Sequence, residues 1–133
     1  MQVYLDTSAA VPLILQEPHS KAAVSAWKHV TQAWAWQWMR VEAEAALIRR
    51  KAGPEAWRRW RALSSRIEWL SFDESLFDQV CTFNRSLGLR AADASHLFVC
   101  DRALRAVPSL TLLSFDSEMR DAAQRIGVPV FSS

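Results

Sequence analysis

Short apolar runs alternate along this chain with longer segments of helical spacing, from one end to the other. Such alternation calls for a parallel sheet with helices on both faces, joined by right-handed crossovers. Residues 2–5 form a mostly apolar run that ends at Asp6, the pattern of a buried strand. Thr7 or Ser8 is placed to cap a helix running through Leu15. A second helix covers 19–30 behind Pro18, where a missing N–H is harmless. Residues 33–38 alternate Trp34, Trp36 and Trp38 with smaller neighbours, the period of a second strand. Val41, Ala45, Leu47 and Ile48 restore helical spacing until Gly53-Pro54 breaks it, and a further helix covers 54–65. A third strand spans 67–72. Asp73 then caps a helix carrying Leu76, Phe77, Val80 and Phe83, which stops near Gly88. A helix apolar on almost every side covers 90–106. A strand at 110–115, a helix at 117–125 and a last strand at 128–131 complete the order.

With 133 residues the chain makes one domain, large enough to bury a core and fold alone. Its three glycines and five prolines are scattered, and no stretch reads as a linker or repeat. The first residues lack the basic and long apolar regions of a signal peptide. No run of about 18 apolar residues exists to span a membrane, and a soluble cytoplasmic protein is expected. Cys81 and Cys100 fall in expected helices; without a secretory signal they read as reduced core residues. They lack the clustered spacing of a zinc site. The net charge of +2 is too mild to identify a partner. Its distribution says more, because Arg49, Arg50, Lys51, Arg58, Arg59, Arg61 and Arg66 interleave with Trp57 and Trp60. That stretch reads either as a surface for phosphates and bases or as a solvated helix face with its tryptophans turned inward.

Sites in open parallel sheets form beyond the carboxyl ends of the strands. Asp6 follows the first expected strand, and Asp116 follows the fourth in Leu112-Leu113-Ser114-Phe115-Asp116. Singly each reads as a turn residue or cap; jointly they would emerge at one edge of the sheet. Asp93 opens a helix with little polar face, and burying an unpaired carboxylate there costs several kcal/mol. It either interacts with helix-terminal N–H groups or Arg90, or points into a cleft and binds metal. Glu42 and Glu44 lie roughly 200° apart around their helix, so only one can face such a site. Their spacing does not say which.

In order, Val3-Tyr4-Leu5-Asp6-Thr7-Ser8-Ala9, Val41-Glu42-Ala43-Glu44-Ala45-Ala46-Leu47, Leu89-Arg90-Ala91-Ala92-Asp93-Ala94-Ser95-His96-Leu97 and Leu113-Ser114-Phe115-Asp116 resemble the motifs of PIN domains in VapC-type toxins. Ala122-Ala123 and Gly127-Val128 extend the likeness over essentially the whole chain. The resemblance implies a single domain over 1–133, a three-layer α/β/α fold with a five-stranded parallel sheet. It implies a metal-dependent endoribonuclease, homodimeric, paired with an antitoxin that blocks its site. By the family's pattern the catalytic and metal-binding acids are Asp6, Glu42, Asp93 and Asp116. The glutamate is Glu42 because Glu-x-x-x-Ala-Leu matches Glu42 through Ala46-Leu47, which leaves Glu44 as a solvated neighbour. The chain departs from the pattern at Ala35-Trp36, where many relatives have Thr-Ser, and at Ser114, where threonine is more usual.

Gathering carboxylates is unfavourable without a cation: two unit charges about 4 Å apart repel by roughly 4 kcal/mol at an effective dielectric near 20. An all-oxygen set suits Mg²⁺ or Mn²⁺, whereas zinc prefers His or Cys. Metal-assisted hydrolysis of an RNA phosphodiester is therefore expected. Asp6 and Asp93 are the expected main ligands, with Glu42 and Asp116 completing the shell. Ser8 and Arg90 are candidates for hydrogen bonding within the site or contacting phosphate, and His96 is expected to be packed or hydrogen-bonded. A receiver domain would need a lysine near the last strands, yet lysines stand only at 21, 28 and 51. A haloacid-dehalogenase motif would need an acid where Ser8 stands. The rival of another class is a degenerate PIN domain that only binds protein or RNA.

Overall fold

Val3, Tyr4 and Leu5 have no exposed surface, which a strand achieves only when it is paired on both edges and covered on both faces. The computed structural model, which describes residues 1–132, places them in just that position. Strands β1 (Gln2–Leu5), β2 (Gln32–Trp36), β3 (Ile67–Leu70) and β4 (Thr111–Leu113) form one sheet in the order β3-β2-β1-β4. All pairings are parallel, with Val3 opposite Ala33 on one side and Thr111 on the other.

Alternation along the strands divides the interior into two cores. Val3, Leu5, Ala33, Ala35 and Leu113 point to the face covered by α1 (Thr7–Ile14), α2 (Ser20–Trp27), α3 (Trp38–Arg49) and α4 (Pro54–Ser64). There Met39, Ala43 and Leu47, four residues apart on α3, bury one helical stripe. Tyr4 and Leu112 point the other way, to α6 (Ala91–Ala106) and α7 (Ser117–Arg125), with α5 (Phe77–Asn84) packed on α6. Leu97, Cys100, Met119, Ala122 and Ala123 fill that second core. The result is the expected α/β/α arrangement.

Several local expectations are corrected. The strand expected at 128–131 is reduced to one parallel bridge between Leu112 and Val130. Leu112 N donates to Pro129 O and Phe131 N donates to Leu112 O, but β4 is only three residues long and Pro129 has no N–H to extend a ladder. The sheet thus has four strands rather than five. The cap of α1 is Asp6, whose side chain accepts from Ala9 N, not Thr7 or Ser8. Asp73 makes no side-chain cap bond, and a 3-10 turn at Glu74–Leu76 precedes α5. Among the described residues no helix is long and apolar enough to cross a membrane. Both cysteines are free; Cys100 is a core residue as expected, while Cys81 is exposed.

Candidate active site

The chain winds outward from β1 through β2 to β3, then returns across the sheet to β4 on the other side of β1. The winding reverses between β1 and β4, and a crevice opens beyond the carboxyl ends of strands at such a reversal. Asp6 and Asp116 stand there because each follows one of these two strands. Each also caps the helix that follows: Asp6 accepts from Ala9 N at 3.2 Å, and Asp116 from Met119 N at 3.0 Å.

Serine hydroxyls join the two strand ends. Ser114 Oγ donates to Asp6 Oδ2 at 2.7 Å, and Ser8 Oγ donates to Asp6 Oδ1 at 2.8 Å. Phe115 N donates to Ser8 Oγ and Asp116 N donates to Ser114 Oγ, at 2.9 and 3.1 Å. Asp6 is only 2% exposed. Burial raises its carboxyl above the ordinary range, although the bonds from Ser114, Ser8 and Ala9 oppose that rise.

Glu42 reaches the same rim from α3. Its Oε1 accepts from Thr7 Oγ1 at 2.8 Å and lies 2.7 Å from His96 Nε2. Partial burial would raise this carboxyl, but the hydrogen bonds from His96 and Thr7 outweigh it and hold it below the ordinary value. Glu44 diverges, as the helical geometry requires, yet it is half-buried rather than solvated and accepts from Trp60 Nε1 at 3.0 Å.

Asp93 lies in the first turn of α6. Partial burial, then the like charges of Asp116 and Asp6, push its carboxyl up, and Glu42 adds to this. These influences mark the four acids as electrostatic neighbours at one rim. Arg90 does not neutralise Asp93: among the described residues, no arginine or lysine lies within ion-pair distance of any of the four acids. Arg90 is exposed at the N-cap position of α6 and makes no side-chain cap bond.

Four carboxylates at one rim without a cationic side chain fit a hard divalent cation in both charge and donor type. As placed, no three His, Cys, Asp or Glu side chains among the described residues stand close enough together to hold one ion. The acids share a rim but are not drawn together to ligating distance.

Of the residues singled out from sequence, Ser8 bonds Asp6, Asp116 is tied to Asp6 through Ser114, and Glu42 and Asp93 lie within electrostatic reach; among the described residues the Arg90 side chain makes no ion pair. Part of the basic stretch is engaged within the chain. Arg59 donates twice to Ile14 O, Arg66 lies over the Trp27 ring, and Arg58 pairs with Glu55. Trp60 is buried and Trp57 packs against the core. Sequence reasoning missed the site roles of Thr7, Tyr4 and Ser114. It also left His96 as a packed or hydrogen-bonded residue, and the ring is both. One signal was available for His96: it lies three residues after Asp93, on the same helical face.

The PIN domain family model matches residues 3–125, and the chain belongs to this family. PIN domains are in general nucleases. Comparison with curated proteins gives no match. Among solved structures the chain is similar to PAE2754 of Pyrobaculum aerophilum, with 23% identity and a TM-score of 0.66 over 92% of this chain and 84% of that one. It is also similar to VapC20 of Mycobacterium tuberculosis, a toxin that cleaves the sarcin-ricin loop, with 17% identity and a TM-score of 0.69 over 90% and 94%. FitAcB of Neisseria gonorrhoeae aligns over 98% and 96%, with 19% identity and a TM-score of 0.66.

Proposed function

We propose that this PIN domain is a metal-dependent endoribonuclease, the toxin of a VapBC-type toxin–antitoxin pair, acting in the cytoplasm as a homodimer that its antitoxin inhibits. What supports the reading is that Asp6 and Asp116 follow the neighbouring strands β1 and β4, that Asp116, Asp6 and Glu42 act as like charges on Asp93, and that among the described residues no arginine or lysine pairs with any of the four. The structural likeness to a toxin described as cleaving the sarcin-ricin loop supports RNA as the substrate class. The likeness to VapC20, named as a toxin, supports a toxin role and with it an antitoxin partner.

In this reading Asp6 and Asp93 hold Mg²⁺ or Mn²⁺, and Glu42 and Asp116 complete the shell. A bound divalent cation supplies the acidified water and the charge neutralisation that phosphodiester hydrolysis needs. The chain's own part is positional. Ser8 and Ser114 fix both oxygens of Asp6, so its orientation does not depend on the ion. Glu42 is held by Thr7 and His96 with one oxygen left over. In the same reading Arg90, exposed at the start of α6, contacts a phosphate of the substrate.

A PIN domain that binds without cutting is the second reading, favoured by the absence, among the described residues, of three ligand side chains gathered tightly enough for one ion. Calorimetric titration of the purified chain with Mn²⁺ separates the two. Saturable binding that Asp6→Asn and Asp93→Asn each remove supports the nuclease. No binding by the unaltered protein supports the binding module.

A further inference from the structure

His96 is 1% exposed, so neither RNA nor an ion reaches it directly. The polar atoms around it nevertheless form one continuous chain. Trp36 N donates to the Tyr4 hydroxyl at 3.2 Å. The phenol hydrogen is then directed at His96 Nδ1, 3.1 Å away. Tyr4 is wholly buried, which holds the phenol far above its ordinary pKa and keeps that hydrogen in place. Nδ1 is thus an acceptor, and the ring proton of a neutral imidazole sits on Nε2. From there it is donated to Glu42 Oε1 at 2.7 Å. Reversing the direction would leave the buried phenol hydrogen with no acceptor. Among the described residues no buried side-chain polar atom lacks a partner.

The ring is packed by two aromatic neighbours. It meets Tyr4 edge-on at 6.2 Å between centroids and Trp36 at 5.3 Å, interplanar angles 75° and 85°. Thr7 donates to the same Oε1. Oε1 is thereby occupied twice from within the protein, and Oε2 remains for the cleft, where the Glu42 side chain is 27% exposed.

We propose that His96 is a positioning residue: held as its Nε2–H tautomer by Tyr4, it fixes Glu42 Oε1 so that Oε2 alone is presented to a divalent cation at the rim. The inference rests on the metal-dependent reading of this site, and deepens it. It predicts that the relay exists before any ion binds, because every one of its bonds is made within the chain.

Three variants test it. His96→Gln places an amide donor near the position of Nε2, His96→Asn places its amide near Nδ1 and cannot reach Glu42, and Tyr4→Phe removes the hydroxyl. In the metal-free protein, long-range ¹H–¹⁵N spectra should show His96 as the Nε2–H tautomer, with that preference lost in Tyr4→Phe. Isothermal titration with Mn²⁺ should show His96→Asn weakened about tenfold to a hundredfold, the range for groups that orient metal ligands. His96→Gln should bind far more tightly than His96→Asn. Backbone amide spectra that overlay those of the unaltered protein show that each variant is folded, and Tyr4→Phe carries the test if His96→Asn is not. A protonated Nδ1 in the unaltered protein would overturn the proposal. So would equal Mn²⁺ affinity in the unaltered protein, His96→Asn and Tyr4→Phe; that result would leave the nuclease reading intact. Failure of the unaltered protein to bind Mn²⁺ at all would overturn both.

Discussion

Ser114 and Asp6 are joined across two neighbouring strand ends by a 2.7 Å hydrogen bond between fully buried partners, Ser114 Oγ donating to Asp6 Oδ2. The same hydroxyl oxygen accepts from Asp116 N, so one small side chain ties both strand-end acids together. Removing a buried donor to a charged group costs about 1–3 kcal/mol. Ser114→Ala should lower the unfolding free energy obtained from urea denaturation by that amount, while Ser114→Thr, which keeps the hydroxyl, should fall close to the unaltered protein. Equal loss in both variants would assign the effect to packing instead.

The metal-free protein should grow more stable on mild acidification. Asp6 and Asp93 have carboxyls raised above their unfolded values, so the native state holds more protons than the unfolded chain between about pH 3.9 and those raised values. Their contribution is present below that window and is lost as the pH rises through it. Glu42 is shifted the other way and withdraws stability as the pH falls through its lowered value. Thermal melts in EDTA should therefore show a higher midpoint at mildly acid pH than at pH 7. Asp93→Asn should flatten that rise and raise the midpoint at pH 7. A midpoint that falls steadily below neutrality in the unaltered protein would contradict this assignment.

Much of this arrangement is legible in the chain alone. Asp6 and Asp116 are placed by the strands they follow, and the helix at 117–125 is found where its pattern puts it. Other features depend on partners distant in sequence, which periodicity does not encode. Glu42 and Glu44 diverge by helical geometry, but only the fold reveals that Thr7 and His96 take the first and Trp60 the second. The residues at 128–131 carry a strand's composition, yet a three-residue neighbour and a proline leave them a single bridge. Cys81 lies in a helix with apolar neighbours, but the exposed side of α5 is set by its packing on α6.

The two half-buried glutamates of α3 should separate cleanly by mutation. Glu44→Gln leaves an acceptor for the Trp60 indole and should keep RNA cleavage near that of the unaltered protein. Glu42→Gln removes a charge from the rim and should lower kcat/KM by about tenfold to a hundredfold or more. Comparable losses in both would mean that Glu44 takes part in the chemistry.

Thiol labelling offers a structural check. Cys81 is exposed, whereas Cys100 is buried and its thiol is pushed well above the ordinary range by that burial. The thiolate is the reactive form, so Ellman's reagent should titrate one thiol in the native protein and two after denaturation. Two fast-reacting thiols in the native state would show the α6 core to be open.

Incubating the purified, antitoxin-free chain with total cellular RNA and Mn²⁺, then mapping the new ends, tests the nuclease assignment most directly. Discrete new ends that vanish with EDTA and with either Asp6→Asn or Asp93→Asn are expected. Cleavage that persists in EDTA, or in either variant, would contradict it.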